Sequence, residues 1–168
     1  MEIVITKGQT DDRIEIRRAD GRVAATSFPK KGPVPHDAVH AIVEEELGLQ
    51  LGFWGMVAAG HDPDHIQDIA KAAGHASAKR ATTPEAAIVE LIQAERIVEA
   101  AEAALWSGGS DIDGMRHLAE TGCVASFVPT PDLSDACLTT ILERLVALRD
   151  HWVAAASGYQ LRFSWPSA

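Results

Sequence analysis

Three prolines and a glycine, Pro29, Gly32, Pro33 and Pro35, divide this chain into two kinds of apolar pattern. Proline removes a backbone donor and fixes φ, so neither a strand ladder nor a helix can run through this stretch. Before it, the residues alternate as strands do: Glu2 to Thr6, Arg13 to Arg18 with Ile14 and Ile16 on one face, and Arg22 to Phe28. Asp11-Asp12 and Ala19-Asp20-Gly21 supply the turns, the second a hairpin signal because Asp-Gly tolerates positive φ. The expectation is a three-stranded antiparallel meander. Pro35, well suited to a first helical position, then opens a helical region.

The spacing predicts helices from His36 to Leu47, closed by Gly48, and from Phe53 to Ala59, bracketed by Gly52 and Gly60. Another is predicted from Pro63 to Ala73, capped by Asp62 and closed by Gly74. Two long helices follow, Pro84 to Trp106 and Leu133 to Ala156, with a shorter one from Ile112 to Glu120 ending before Gly122. The first long stripe is Ala87, Leu91, Ala94, Val98, Ala101 and Leu105; the second is Leu138, Ile141, Leu145, Leu148, Trp152 and Ala155. Ile88, Ile92, Leu142, Val146 and Val153 broaden these stripes, so a second copy is expected to cover what one chain leaves open, as a homodimer. Tyr159 to Trp165 alternates again and is expected to join the meander. The whole chain, residues 1–168, thus reads as a single α+β domain with a four-stranded antiparallel sheet and helices on one face.

Composition bounds the function classes. With 168 residues, 46% hydrophobic and 23% charged, the chain can bury a core without staples. Cys123 and Cys137 stand in no metal or redox spacing and are expected to be reduced thiols of a cytoplasmic protein. The N-terminal residues lack a basic segment followed by an apolar core, so export by a standard signal is not expected, and no apolar run is long enough to span a bilayer. Residues 1–31 carry seven Lys or Arg against five Asp or Glu, while the rest carry eight against nineteen, for a net charge of −9. That balance repels phosphate backbones, and neither a nucleic-acid nor a membrane partner is expected.

The chemical signal lies in Pro35-His36-Asp37-Ala38-Val39-His40-Ala41-Ile42-Val43-Glu44. At about 100° per residue, His36, His40, Glu44 and Asp37 fall at roughly 0°, 40°, 80° and 100° on a helix, bordering a buried stripe of Val39, Ile42, Val43 and Leu47. Two imidazoles one turn apart are what a helical metal site requires, and Asp37 sits where a base could face a metal-bound water. Zinc or another divalent metal is the expected cofactor, held by His36 and His40 with Glu44, His61 or His65 completing the site and Asp37 as catalytic base. These residues also have a structural reading: Asp37 as a first-turn charge, His40 bonded to Glu44, and His36 on a loop edge. In that alternative the chain is a non-enzymatic interaction module built on its two long helices.

The five residues His36 to His40 resemble the HExxH helix of zinc metallohydrolases with Asp37 in place of Glu. The resemblance implies a third ligand from a downstream helix, for which His61-Asp62-Pro63-Asp64-His65 is placed. Aspartate is one methylene shorter than glutamate, and the pair stands in a first turn rather than mid-helix. His36-Asp37 and His61-Asp62 share only dipeptides with the HD phosphohydrolases, whose all-helical fold does not suit a terminal sheet. Asp111-Ile112-Asp113-Gly114 opens like a calcium loop but lacks its later acids, and reads as a helix-starting loop. Gly52-Phe53-Trp54-Gly55 reads as close packing beside the His helix, with a ligand pocket second. Together, Pro-His-Asp-x-x-His-x-x-Val-Glu and Gly-Phe-Trp-Gly, between Pro35 and Gly60, are similar to a set of small bacterial proteins of no assigned function. That resemblance implies a bacterial cytoplasmic origin and no particular reaction.

Overall fold

A computed structural model describes residues 1–18, 20–30, 32–74 and 84–165. Strands β1 (Glu2–Thr6), β2 (Asp11–Arg17) and β3 (Val23–Pro29) form the meander, and β4 (Gln160–Ser164) closes it, in the order β3-β2-β1-β4 with every pairing antiparallel. The fold is α+β. In the register, Ile3 faces Ile16 and Phe163, and Ile5 faces Ile14 and Leu161, so one face of three strands is a continuous apolar layer. The opposite face carries ion pairs from Arg162 through Glu2, Arg17 and Glu15 to Arg13. Gly21, at φ 83°, makes the β2–β3 turn, while Ala19 of that turn lies outside the described residues.

Six α-helices among the described residues build the second layer. They are α1 (His36–Leu47), α2 (Phe53–Ala58), α3 (Pro63–Gly74), α4 (Val89–Trp106), α5 (Ile112–Ala125) and α6 (Asp135–Ala154). Helix α1 begins where the proline break ends, and Gly48 terminates it in the left-handed region at φ 64°. The segment from Pro84 enters α4 through a 3₁₀ turn at Ala86–Ile88. The expected cap is present, Asp62 accepting from the Asp64 amide at 2.9 Å, and two further caps appear, Asp111 accepting from Gly114 at 2.8 Å and Ser134 from Cys137 at 3.3 Å.

Helix α5 outlasts the expected stop at Glu120 because Gly122 is a packing glycine. A β-carbon there would lie 3.3 Å from Arg96 Cβ, so its absence lets α5 lie close against α4. The sheet's apolar face shares one core with α1, α2, α4 and α6. Of the apolar flanks expected to need a second copy, Leu142 is buried and Ile92 is covered by Cys123 and Val128 within the chain, while Val153 stays exposed. Lys7, after β1, donates to the carbonyls of Trp152 at 2.5 Å and Ala155 at 2.7 Å, tying the sheet to the C-terminal end of α6, where a cation is favoured. No helix among the described residues is long and apolar enough to cross a membrane.

Candidate metal centre

The center of the site is the edge of α1 that faces α4. Val39, Ile42 and Val43 drive α1 into the core, which sinks His40 and Glu44 on the adjoining edge; His40 is 3% exposed and Glu44 fully buried. A lone carboxylate in that position would be costly, and it is fully partnered. Glu44 Oε1 accepts from the Phe53 amide at 3.1 Å and lies 2.9 Å from His40 Nδ1, while Oε2 accepts from the Trp54 amide at 2.9 Å. These amides belong to the first turn of α2, whose N-cap, Gly52, has no side chain to satisfy them.

Gly52-Phe53-Trp54-Gly55 therefore earns its glycines by contact. A β-carbon on Gly52 would lie 2.5 Å from Glu44 Oε2, and one on Gly55 would lie 2.1 Å from the Gln50 carbonyl. Trp54 closes the arrangement from a second direction, its indole Nε1 donating to the Asp37 carbonyl at 2.9 Å. The α1–α2 loop is held to α4 as well, since the Leu51 amide donates to Glu90 at 2.6 Å. The packing explanation of this motif holds, and what it packs against is the carboxylate behind His40.

On the open side of α1 stands Glu95 of α4. His36, His40 and Glu95 each offer one ligand atom, all within 4.8 Å of one another, and His40 Nε2 lies 3.8 Å from Glu95 Oε1. The imidazoles meet edge to face with centroids 4.8 Å apart. His36 Nδ1 lies 3.0 Å from Glu102 Oε1, also on α4. Each histidine thus has one ring nitrogen on a carboxylate, Glu102 for His36 and Glu44 for His40, which leaves Nε2 of each for the third group. An ion bound at about 2.0–2.2 Å needs its ligand atoms roughly 3.0–3.5 Å apart, so the widest pair would have to draw in by about 1.3–1.8 Å from the 4.8 Å limit. His36, with 44% of its side chain exposed, has room to turn.

Electrostatics follow the same geometry. Burial alone would lower the pKa of His40, but the hydrogen bond and charge of Glu44, then the charges of Glu95 and Asp37, outweigh it and raise it to about 9. Asp37 is half-buried, and burial raises its carboxyl against the opposing charges of His40 and His36. Glu99, one turn beyond Glu95, is also raised, by burial first, with Arg96 opposing. A metal would have to displace the proton His40 holds at neutral pH.

Of the residues expected from sequence, His36 and His40 come together with Asp37 beside them. Glu44 is bonded to His40 from behind and does not join the three-residue group. His61 and His65 are exposed and also lie outside that group; His61 contributes its carbonyl, to Arg18 at 2.7 Å. Sequence reasoning missed Glu95 and Glu102. Their signal was present as Glu95, Glu99 and Glu102 at i, i+4 and i+7, an acidic line beside the apolar stripe of α4. Comparison with protein-family models, with curated proteins and with solved structures returned no match.

Proposed function

We propose that this protein binds one divalent transition-metal ion through His36, His40 and Glu95 and uses it for hydrolysis, with Asp37 as the general base. The observation that carries the reading is that each imidazole has one nitrogen engaged by a carboxylate, that His40 turns the other toward Glu95, and that one ligand atom each of His36, His40 and Glu95 lies within 4.8 Å of the others. Metal-ligating histidines are held in this way, and two histidines with one carboxylate leave positions open for water and substrate. The bound ion would lower the pKa of a coordinated water, and Asp37, its carboxyl raised by burial, is the base nearest in sequence to both ligands. The partly exposed His36 and Glu95 give a substrate an approach from solvent. The resemblance of residues 35–60 to small bacterial proteins, with the free thiols of Cys123 and Cys137, fits a cytoplasmic setting for this chemistry.

The test is elemental analysis of protein purified without an affinity tag, followed by zinc, manganese or ferrous iron reconstitution and assay on chromogenic phosphoester, carboxylester and amide substrates. About one equivalent of metal, and turnover lost in Asp37→Asn with metal retained, are expected. Failure to take up any of the three ions would refute the metal site. Full metal loading with no turnover of any substrate class would refute the hydrolase.

A further inference from the structure

Glu44 is among the most deeply buried groups in the chain, and among the described residues the charged group bonded to it is His40. Three donors from two elements converge on it: the His40 ring and two amides of α2. Gly52 is cut away to admit it. A helix needing only an N-cap is served by a serine or aspartate at its own N-cap position, without a charge brought from eight residues upstream. A histidine needing only to be buried is served by a backbone carbonyl. The arrangement does something neither need explains: it fixes which nitrogen of His40 carries a proton.

We propose that Glu44 is the positioning residue of the metal site, locked by the Phe53 and Trp54 amides so that His40 keeps its proton on Nδ1 and presents the Nε2 lone pair to the ion. The proposal rests on the metal site described above. Both Glu44 oxygens accept backbone N–H bonds, so the carboxylate cannot turn away, and its acceptor character forces Nδ1 to be the donor. Deprotonation of the ring on metal binding then has one outcome, loss of the proton from Nε2. The matching contact of His36 with Glu102 is looser, because both groups reach solvent and neither is held by backbone amides. Control of the site is therefore lopsided toward His40.

Glu44→Gln keeps the volume and lets the side-chain carbonyl accept from the Trp54 amide, but its NH2 group faces both the Phe53 amide and His40 Nδ1. That favours the tautomer with the proton on Nε2, where the ion must bind. Zinc affinity, measured by competition with a chromophoric chelator at neutral pH, should fall about 10–100-fold, and the metal-free form should unfold at a lower temperature, because the Phe53 amide loses its acceptor and His40 its charged partner. Glu102→Gln should lose less than about threefold. Long-range proton–nitrogen NMR of zinc-loaded wild-type protein should show His40 ligated through Nε2 and protonated on Nδ1, a readout that a purely structural Glu44 would not determine and that stands even if the variant does not fold. Ligation through Nδ1, or Glu44→Gln binding within threefold of wild type, would overturn the proposal and leave the metal site standing. Wild-type protein that takes up no zinc would overturn both.

Discussion

His36 and His40 have the same spacing as His61 and His65, and the two pairs have opposite fates. The first pair lies on α1, beside a stripe that drives the helix into the core, and faces α4. The second straddles a helix start, because Asp62 caps α3 and Pro63 is its first residue, so His61 stands outside the helix. Four residues span one turn only where the backbone is already helical. Nor does a turn suffice. His40 is made unusual by Glu44 behind it and Glu95 ahead of it, whereas among the described residues no carboxylate joins His61 and His65 into a three-residue ligand group. Spacing proposes a site, and burial against a second element completes it.

The sharpest way to break this comparison is to truncate one ring of each pair. His40→Ala should abolish zinc uptake and, by leaving Glu44 buried without its charged partner, cost about 3–5 kcal/mol in denaturant unfolding. A stable His40→Ala that still binds zinc would erase the distinction. Next in size is a pH effect carried by His40. The raised pKa of His40 means that its charged form stabilises the fold fully below the ordinary value of 6.5, and that this contribution is lost as pH rises through about 9. Metal-free protein should therefore lose roughly 3 kcal/mol across that window, measured by urea unfolding at a series of pH values, and zinc should bind more tightly as the pH rises. A stability profile flat over this window would show that Glu44 and Glu95 do not hold the proton.

Gly52→Ala sharpens the comparison from behind. Its β-carbon would meet Glu44 Oε2 at 2.5 Å, forcing the carboxylate or α2 to move, and should cost about 1–3 kcal/mol while weakening zinc binding. Unchanged affinity would mean that the carboxylate's position is immaterial. The smallest effect is expected at the second pair: His61→Ala and His65→Ala should each shift stability by less than about 0.5 kcal/mol and leave zinc affinity as it was. A tenfold loss of affinity in either would bring the α3 segment into the site.

The fold was largely legible because its signals are local. The alternation of Ile14 and Ile16, the Asp-Gly turn, the proline break and Gly48 each act within a few residues, and the apolar face of Leu161, Phe163 and Trp165 required a partner that only the meander could offer. Gly122 misled because glycine has two meanings, a helix stop and a close approach, and only the position of Arg96 decides between them. The site was half legible for the same reason. His36, His40 and Asp37 share one helix, so helical geometry groups them. Glu95 and Glu102 join them only through the docking of α4 on α1, a relation across more than fifty residues that no spacing encodes. Glu44 was visible as a polar neighbour, but its orientation depends on α2, and nothing local says that a carboxylate will serve the amides of another helix.

The shared carboxylate also joins two events in time. Because α2 takes its cap from Glu44 rather than from Gly52, the amides of Phe53 and Trp54 are sheltered only while α2 lies against α1. Any local opening of that short helix frees the carboxylate and slackens His40 in the same movement. The rate at which these two amides exchange their hydrogens with solvent is thus a gauge of the site itself, reporting the share of time in which the histidine is let go.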